Sequence, residues 1–473
     1  MKKHLLLPAL AFWALVAPCL PARAAEPSLP AAAIDRAVRS LLHASKTPGA
    51  TIAVVEDGRI VYAHGYGLRN VAGKLGADAN THYQIGSMTK QFTAAAILQL
   101  RDAGKLTLNE KLAKILPTAP HADEITIREL LTHTSGLRNY TNISGFVRLA
   151  GKPGSYNKMI ALIAKKPLNF RPGSRFDYSN TNYILLGKIV EVLSGESYQK
   201  YVQEHEFRPA GMAHTTWISD EAHLHDMATG YMVAKDGKAV PAPPLRSTWA
   251  WSAGAIVSTV GDFARWTNAL SSGKIVPLHD FAEMTTPVHV PYGSSGGYGF
   301  GLIRDRFQGQ ARIEHGGGTF GFSTDGALFP SQHLAIVAFT DSRSGPAGAI
   351  VEHIFDVLHP KLAATELTPV AGENLAFRAR MKAFIIPLLK GHLDRSQITP
   401  AASKALSDAT VAQVAALFSS LGAPRAFIYR GKTVRSTGTL YVYLVHFASQ
   451  TVKLTLGIDA KTKKFAVFFF QPQ

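Results

Sequence analysis

The alternation of apolar and polar positions predicts strands at both ends of the first 360 residues and helices between them. Two apolar runs, residues 50–55 and 60–65, flank Glu56-Asp57-Gly58-Arg59, a sequence typical of a β-hairpin turn. The predicted helices span residues 34–42, 89–103, 127–131, 182–193 and 262–270, and the later strands span residues 312–315, 323–329 and 334–341. This order favours an α+β fold, an α/β sandwich in which early and late strands meet in one antiparallel sheet around an inserted helical region.

The pattern changes after His359-Pro360. Three helical segments are followed by four strand-like runs, with a turn expected at Gly431-Lys432. The helices span residues 373–389, 401–406 and 411–421, and the strands span residues 425–429, 439–447, 451–458 and 465–470. This order resembles small NTF2-like or cystatin-like α+β domains. We therefore expect such a domain at residues 373–473, joined by a linker at residues 361–372.

The first 24 residues predict an export signal. Two lysines precede an apolar run, residues 5–20, and Ala22-Arg23-Ala24 supplies the small residues of a cleavage site. The run is short for a membrane span of about 20 residues, and Pro18 disfavours lipoprotein processing at Cys19. We expect cleavage after residue 24, no transmembrane anchor afterwards, and a mature chain in the bacterial periplasm or outside the cell.

Composition and charge limit the classes of partner that the protein can bind. The 473 residues are 46% hydrophobic and 18% charged, which excludes wholesale disorder. The formal net charge is +17, and residues 361–473 hold 15 Lys or Arg against 5 Asp or Glu, a net +10. An exported protein without a recognition motif has little access to nucleic acid, so we expect none as a partner. The basic C-terminal domain instead suits an acidic cell-envelope polymer or anionic lipid head groups, and a solvated basic face without a partner is the alternative.

A serine with a lysine one helical turn later begins the 89–103 helix, in Ser87-Met88-Thr89-Lys90. Positions i and i+3 share a helix face, so Lys90 Nζ can lie beside Ser87 Oγ and act as the base that a serine nucleophile needs. The positive end of the helix dipole disfavours the ammonium form of the lysine. The same spacing recurs from Ser155, Ser197 and Ser271, so it does not identify the nucleophile by itself.

Two further motifs follow in order. Tyr178-Ser179-Asn180 offers a tyrosine that can act as a base if Lys90 lowers its pKa, and an amide that can hold both Lys90 and an acyl group. His315-Gly316-Gly317-Gly318 ends a predicted strand, where glycines let a substrate approach the edge and meet free N–H groups. The structural alternative for Tyr178 is an aromatic residue in a surface turn. For the glycine motif it is a hairpin that only changes the direction of the chain.

A competing nucleophile motif is Gly293-Ser294-Ser295-Gly296-Gly297, which matches the G-x-S-x-G elbow. The elbow requires a strand before it and a helix after it. Here Pro291 lies in the preceding run, and the following Tyr298-Gly299-Phe300-Gly301 is not helical. We predict a loop, with no catalytic role for Ser295.

Together these motifs resemble those of the serine β-lactamase and penicillin-binding-protein superfamily. The resemblance is to the class C β-lactamase-related branch, which also holds D-Ala-D-Ala carboxypeptidases, D-aminopeptidases and β-lactamase-like esterases. It covers about residues 30 to 358, within a predicted serine hydrolase domain of residues 25–360. Further segments that carry it are Leu130-Leu131-Thr132-His133-Thr134-Ser135-Gly136-Leu137, Pro172-Gly173, Gly254 with Ser258 and Asp262, and Gly299-Phe300-Gly301.

The resemblance implies a role for each site residue. Ser87 is acylated, and Lys90 and Tyr178 relay its proton to the leaving group and later activate the deacylating water. The backbone N–H groups of Ser87 and Gly318 form the oxyanion hole. Substrate binding is implied for Asn180, which holds the acyl amide, and for His315, Gly317 and Gly318. The chemistry requires no metal and no other cofactor.

One departure from the family pattern bears on the substrate. Many relatives begin the third motif with a lysine that attracts a carboxylate, whereas His315, at an ordinary pKa near 6.5, is mostly neutral at pH 7. We expect an exported serine hydrolase for D-amino-acid peptides, β-lactams or small esters and amides, with carboxypeptidase or esterase activity favoured over an efficient β-lactamase. The alternative is a catalytically weak penicillin-binding, cell-wall-binding or sensor protein. His133, Thr134 and Ser135 are expected to form a structural turn without a chemical role.

Overall fold

The computed structural model describes residues 29–234, 237–366, 370–419, 421–435, 438–447 and 451–472. The predicted signal peptide, residues 1–24, lies outside the described residues. The strands are β1 (Gly49–Glu56), β2 (Arg59–Asn70), β3 (Leu75–Gly76), β4 (Tyr83–Gln84), β5 (Thr216–Trp217), β6 (Tyr231–Val233), β7 (Ala239–Pro241), β8 (Ile256–Ser258), β9 (Ile303–Phe307), β10 (Gln310–Gly318), β11 (Ser323–Phe329), β12 (Leu334–Thr340), β13 (Ala426–Arg435), β14 (Gly438–His446), β15 (Thr451–Asp459) and β16 (Phe465–Pro472).

Helices occupy most of the chain between the early and late strands. They are α1 (Ala31–Ser45), α2 (Lys90–Asp102), α3 (Ile127–Leu131), α4 (Phe146–Ala150), α5 (Tyr156–Ala161), α6 (Asn180–Ser194), α7 (Tyr198–Val202), α8 (Arg208–Ala210), α9 (Ser247–Gly254), α10 (Val260–Ser271), α11 (Leu278–Met284), α12 (Ala347–Leu358), α13 (Pro360–Glu366), α14 (Leu375–Leu388), α15 (Pro400–Ala405) and α16 (Asp408–Ser419). A 3₁₀ turn, Gly86–Thr89, leads directly into α2.

A seven-stranded sheet has the order β3-β2-β1-β12-β11-β10-β9, and its neighbouring strands are antiparallel. The first strand pairs with the last one of this region, from Ala50 opposite Thr340 to Glu56 opposite Leu334. The helical region lies between these strands in sequence. The prediction of an α+β sandwich whose early and late strands meet is therefore confirmed.

The alternating side chains of β1 separate two hydrophobic cores. Ile52 and Val54 belong to a core shared with α1 and α12, whereas Ala53 and Val55 belong to a larger core built mainly from the helical region. The period of two residues along a strand places these pairs on opposite faces of the sheet. The sheet is thus buried between two layers of helices, and α2, which follows the 3₁₀ turn, lies in the larger layer.

The C-terminal part forms a second sheet, of order β13-β14-β15-β16. Its inner face packs against α14–α16 in a core drawn from residues 377–470. The expected turn at Gly431-Lys432 is wrong, because β13 continues through both residues with a bulge between Tyr429 and Gly431. Helix α13 occupies the first part of the predicted linker, and the domain boundaries themselves remain predictions. Over the described ranges, no helix has the length and apolar character needed to cross a membrane.

Candidate active site

Ser87 lies in the 3₁₀ turn at the start of α2, where the first backbone N–H groups have no partner within the helix. The turn begins at Gly86, whose φ of 54° is in the left-handed region that favours glycine. A Cβ added to Gly86 would lie 2.6 Å from the Gly318 nitrogen. This close approach places the backbone of Gly318 beside the turn that holds Ser87, as expected if the N–H groups of these two residues form an oxyanion hole.

Lys90 is fully buried, and its Nζ is surrounded by three oxygen atoms. The distances are 3.1 Å to Ser87 Oγ, 2.9 Å to Asn180 Oδ1 and 2.8 Å to the carbonyl oxygen of Ala253. Burial lowers the pKa of Lys90 well below its usual value of 10.5. Burial therefore favours the neutral amine.

The same three contacts fix where the lone pair of the neutral amine points. Asn180 donates from Nδ2 to Thr141 Oγ1 at 3.2 Å, so its Oδ1 is free to accept from Lys90. The carbonyl oxygen of Ala253 is an acceptor only. The two amine hydrogens thus belong to these two oxygens, and the lone pair faces the hydroxyl of Ser87, which is the geometry of a general base.

The Ala253 carbonyl is a part of the site that the sequence did not predict. Helix α9 is broken at Trp251, whose φ of 32° and ψ of −128° are not helical. The break lies two residues before the carbonyl that faces Lys90. Because the contact comes from the backbone, no side-chain motif could have revealed it.

Tyr178 borders Lys90, whose Nζ lies 4.9 Å from the centre of the tyrosine ring. Part of the ring is exposed, but the hydroxyl is buried and has no hydrogen-bond partner among the described residues. Burial raises the pKa of Tyr178 far above 10, and the interaction with Ser87 offsets only part of this. The condition under which Tyr178 could act as a base, a pKa lowered by Lys90, is therefore not met, since Lys90 is itself buried and tends to the neutral form. The hydroxyl stays protonated at neutral pH.

The third motif forms the end of β10. Strand β9 pairs with β10 only as far as Glu314, so residues 315–318 have a free edge on that side. A Cβ on Gly317 would overlap the carbonyl oxygen of Ile85, just before the 3₁₀ turn. A residue without a side chain is therefore needed for β10 to approach Ser87 this closely.

His315 is buried, with 4% of its surface exposed. Burial lowers its pKa to about 4, and Lys90 acts in the same direction whenever its amine is protonated. It is therefore neutral at pH 7, as the sequence led us to expect. It cannot supply the positive charge that the lysine of other relatives brings.

A cavity of about 420 Å³ opens beside Ser87 and Asn180. Its wall is largely apolar and aromatic, with contributions from Tyr140, Ile143, Phe146, Leu245, Trp249 and Phe320. Arg343 is the one charged side chain among the described residues that line it, and a Cβ on Gly318 would overlap its guanidinium. Sequence reasoning missed Arg343, which stands in no motif.

The other candidate serines have structural roles. Ser155 and Ser197 each accept a hydrogen bond from the backbone N–H three residues later and so cap short helices. Ser295 lies among turns between α11 and β9, without the preceding strand and following helix of a nucleophile elbow.

The fold and this geometry can be compared with known proteins. A protein-family model described as Beta-lactamase matches residues 34–359. The chain belongs to this family. The resemblance to the serine β-lactamase and penicillin-binding-protein superfamily is thereby confirmed.

Three individual proteins are similar to this chain over much of its length. Protein flp of Staphylococcus aureus is 28% identical over 330 residues, which cover 68% of this chain and 65% of flp, so the match spans slightly less than two thirds of that relative. The octameric penicillin-binding protein homologue from Pyrococcus abyssi has a TM-score of 0.65 at 23% identity, over 93% of this chain and 99% of that one. A D-stereospecific amidohydrolase from Streptomyces sp. has a TM-score of 0.61 at 25% identity, over 69% of this chain and 97% of that one.

Proposed function

We propose that this β-lactamase family member is an exported serine hydrolase that acts through an acyl-enzyme on Ser87, with D-amino-acid amides and peptides as its substrates. The observation that carries the proposal is the buried Lys90, whose Nζ lies 3.1 Å from Ser87 Oγ and whose pKa is lowered by burial. The D-stereospecific amidohydrolase among the structural relatives supports the substrate class.

In the proposed reaction, Ser87 Oγ attacks the substrate carbonyl carbon while its proton passes to Lys90 Nζ. The N–H groups of Ser87 and Gly318 hold the negative oxygen of the tetrahedral intermediate. The carbon–nitrogen bond then breaks, and the leaving amine takes the proton from Lys90 through the Tyr178 hydroxyl. Water then attacks the acyl carbon while its proton passes through the Tyr178 hydroxyl to Lys90. The bond between the acyl carbon and Ser87 Oγ breaks, and Ser87 Oγ takes the proton back from Lys90.

The cavity beside Ser87 supports a substrate with two features. Its aromatic wall suits an apolar or aromatic side chain on the acyl part. Arg343 gives the wall a positive charge, which neutral His315 does not provide, and a guanidinium binds carboxylate well. Peptides with a free carboxylate therefore remain within the proposed substrate class.

The test identifies the nucleophile and measures substrate turnover with the same protein. The protein is incubated with a fluorophosphonate or a penicillin, and the adduct is mapped by mass spectrometry. Hydrolysis of nitrocefin, a p-nitrophenyl ester, a D-Ala-D-Ala peptide and D-phenylalanine amide is then measured. We expect the adduct on Ser87, hydrolysis of the D-amino-acid substrates, and loss of both in Ser87→Ala.

Ser155→Ala is the matched control, because Ser155 has the same spacing to a lysine but only caps a helix. It should keep both the adduct and the turnover. An adduct on Ser295 would overturn the proposal. An adduct on Ser87 without turnover would identify the alternative, a catalytically weak penicillin-binding protein.

A further inference from the structure

A row of buried polar side chains lies behind His315 and has no role in the proposed reaction. It runs through Asn182, His133 and Tyr298 to His315, and each of these has at most 4% of its surface exposed. His133 comes from the turn after α3, Asn182 from α6, and Tyr298 from the loop before β9. Three separate parts of the chain thus meet at one edge of the site.

The hydrogen-bond directions at the start of this row follow from its chemistry. Ser135 donates to Asn182 Oδ1 at 2.6 Å, so the Asn182 amide nitrogen is turned toward His133. It donates to His133 Nδ1 at 3.1 Å, and the backbone N–H of Ser179 donates to the same atom at 3.2 Å. A ring nitrogen that accepts two hydrogen bonds carries no proton, so the proton of neutral His133 lies on Nε2.

The hydrogen bonds then continue in the same donor-to-acceptor direction as far as His315 on β10. His133 donates from Nε2 to Tyr298 Oη at 3.1 Å. The hydroxyl hydrogen of Tyr298 is therefore directed to His315 Nε2, 3.3 Å away. His315 must carry its own proton on Nδ1, which donates to the carbonyl oxygen of Gly316 at 2.5 Å. Each donor in the row has one acceptor.

We infer that Tyr298 is a positioning residue that holds His315 as the neutral Nδ1–H tautomer and thereby ties the imidazole to the Gly316 carbonyl, two residues before the oxyanion donor Gly318. The effect on catalysis rests on the proposed function. The tautomer itself does not, because it follows from the hydrogen bonds alone.

The arrangement opposes protonation of His315. A proton on Nε2 would face the Tyr298 oxygen, and the tyrosine hydrogen would have to turn away from His315. The other titratable groups that face the ring are Lys90, which also opposes protonation of the imidazole whenever its amine is itself protonated, and Tyr178, whose ring centre is 6.3 Å away. Of these groups, Tyr298 alone donates a hydrogen bond to the imidazole, so its removal is the informative change.

The first experiment reads the tautomer directly. The full-length protein is labelled with ¹⁵N-histidine, and two-bond proton–nitrogen correlations are recorded between pH 5.5 and 8, with the His315 signals assigned by their loss in His315→Asn. We expect the Nδ1–H pattern throughout. An Nε2–H pattern or a protonated ring in this range would overturn the inference, whether or not the protein hydrolyses any substrate.

The second experiment removes only the Tyr298 hydroxyl. We expect Tyr298→Phe to give a mixed His315 tautomer, to raise the pKa of His315 in the same ¹⁵N titration, and to lower kcat/KM by about 10-fold to 100-fold. The matched control is Tyr198→Phe, which removes another buried hydroxyl that bonds Thr93 and lies outside the row. An unchanged His315 tautomer and pKa in Tyr298→Phe would overturn the inference, and equal losses of kcat/KM in both variants would assign the loss to packing.

If Tyr298→Phe does not fold, the tautomer of the wild-type protein still decides the question. If Ser87 proves not to be the nucleophile, the tautomer result stands and only the kinetic consequence falls. The two failures are therefore distinguishable.

Discussion

At the scale of single residues, the pKa directions of Lys90 and Tyr178 determine how these two groups divide the acid–base work of the proposed reaction. Burial lowers the pKa of Lys90 and raises that of Tyr178. As the pH rises, the Lys90 amine therefore loses its proton while the Tyr178 phenol stays protonated. The pH dependence of acylation should report Lys90 alone.

This division predicts how acylation responds to pH and to Tyr178→Phe. The rate should rise with pH as Lys90 becomes neutral and should level off well below pH 10.5. Tyr178→Phe should lower the plateau by about 10²-fold to 10⁴-fold, because a proton carrier is lost, but should leave the midpoint of the rise unchanged. Stopped-flow acylation by a chromogenic β-lactam at a series of pH values measures both. A midpoint that moves with Tyr178→Phe would show that the tyrosine titrates instead.

Arg343 predicts a split between charged and neutral substrates. In Arg343→Ala, KM for a substrate with a free carboxylate should rise by about 10-fold or more, as expected for loss of a charge-assisted hydrogen bond. The KM for D-phenylalanine amide, which has no carboxylate, should change little. Arg306→Ala is the control, because Arg306 is exposed on β9 and bonds only Gly309. Equal losses on both substrates would argue against carboxylate binding.

The sequence predicted those site residues whose partners are near in the chain or ordered in a motif. Ser87 and Lys90 share a helix face, and Tyr178, Asn180 and Gly318 follow in the order that the family resemblance requires. The Ala253 carbonyl and Arg343 were not predicted. Their contacts depend on a helix break and on a loop after β12, and neither leaves a pattern in residue type.

At the scale of elements, the site depends on how closely the end of β10 approaches the 3₁₀ turn. Two glycines on this strand differ sharply in the space around them. A Cβ at Gly317 would overlap the Ile85 carbonyl oxygen, whereas a Cβ at Gly316 has its nearest neighbour at 3.5 Å. Strand β10 should therefore tolerate a methyl group at position 316 but not at position 317.

We expect Gly317→Ala to push β10 away from the turn and to lower acylation by about 10²-fold, the cost of a displacement near 1 Å at a reacting centre. Gly316→Ala should lower the acylation rate much less, since its methyl group makes only ordinary van der Waals contact. Acylation rates and thermal unfolding of both variants are compared with the wild type. Similar losses in the two variants would show that the close approach does not control the oxyanion donor.

The elements also show where the sequence pattern failed. Gly431 and Lys432 are typical turn residues, yet β13 runs through them and only bulges. A glycine next to a charged residue cannot distinguish a bulge from a turn, because both accept the unusual backbone angles of glycine. Pairing with β14 over nine residue pairs decided in favour of the strand.

At the scale of the whole molecule, positive charge is concentrated in the C-terminal residues, and we propose that it holds the exported protein at an acidic envelope surface. Lys461, Lys463 and Lys464 lie together in the turn between β15 and β16, and at least the first two are exposed. Charges at such positions act over about a Debye length, close to 8 Å at physiological salt.

This proposal predicts salt-sensitive retention on isolated cell envelopes. The variant with Lys461, Lys463 and Lys464 changed to glutamine should elute at lower salt than the wild type. The matched control changes Lys152, Lys158 and Lys165 to glutamine, three exposed lysines outside the C-terminal part that remove the same charge. Co-sedimentation at increasing salt measures retention. Equal elution of both variants, or retention that does not respond to salt, would contradict the proposal.

The pairing of β1 with β12 has a consequence for the time at which the enzyme becomes active. A hydrogen bond from the Gly49 N–H to Asp341 joins positions 292 residues apart at this junction. A chain that has emerged from the ribosome or the export channel only as far as Ser87 and Lys90 has the nucleophile and its base, but it lacks the strand that carries Gly318. Contacts of such separation form late in folding. Reactivity should therefore appear only after residue 340 has emerged, so a nascent chain has no completed site with which to attack acyl groups.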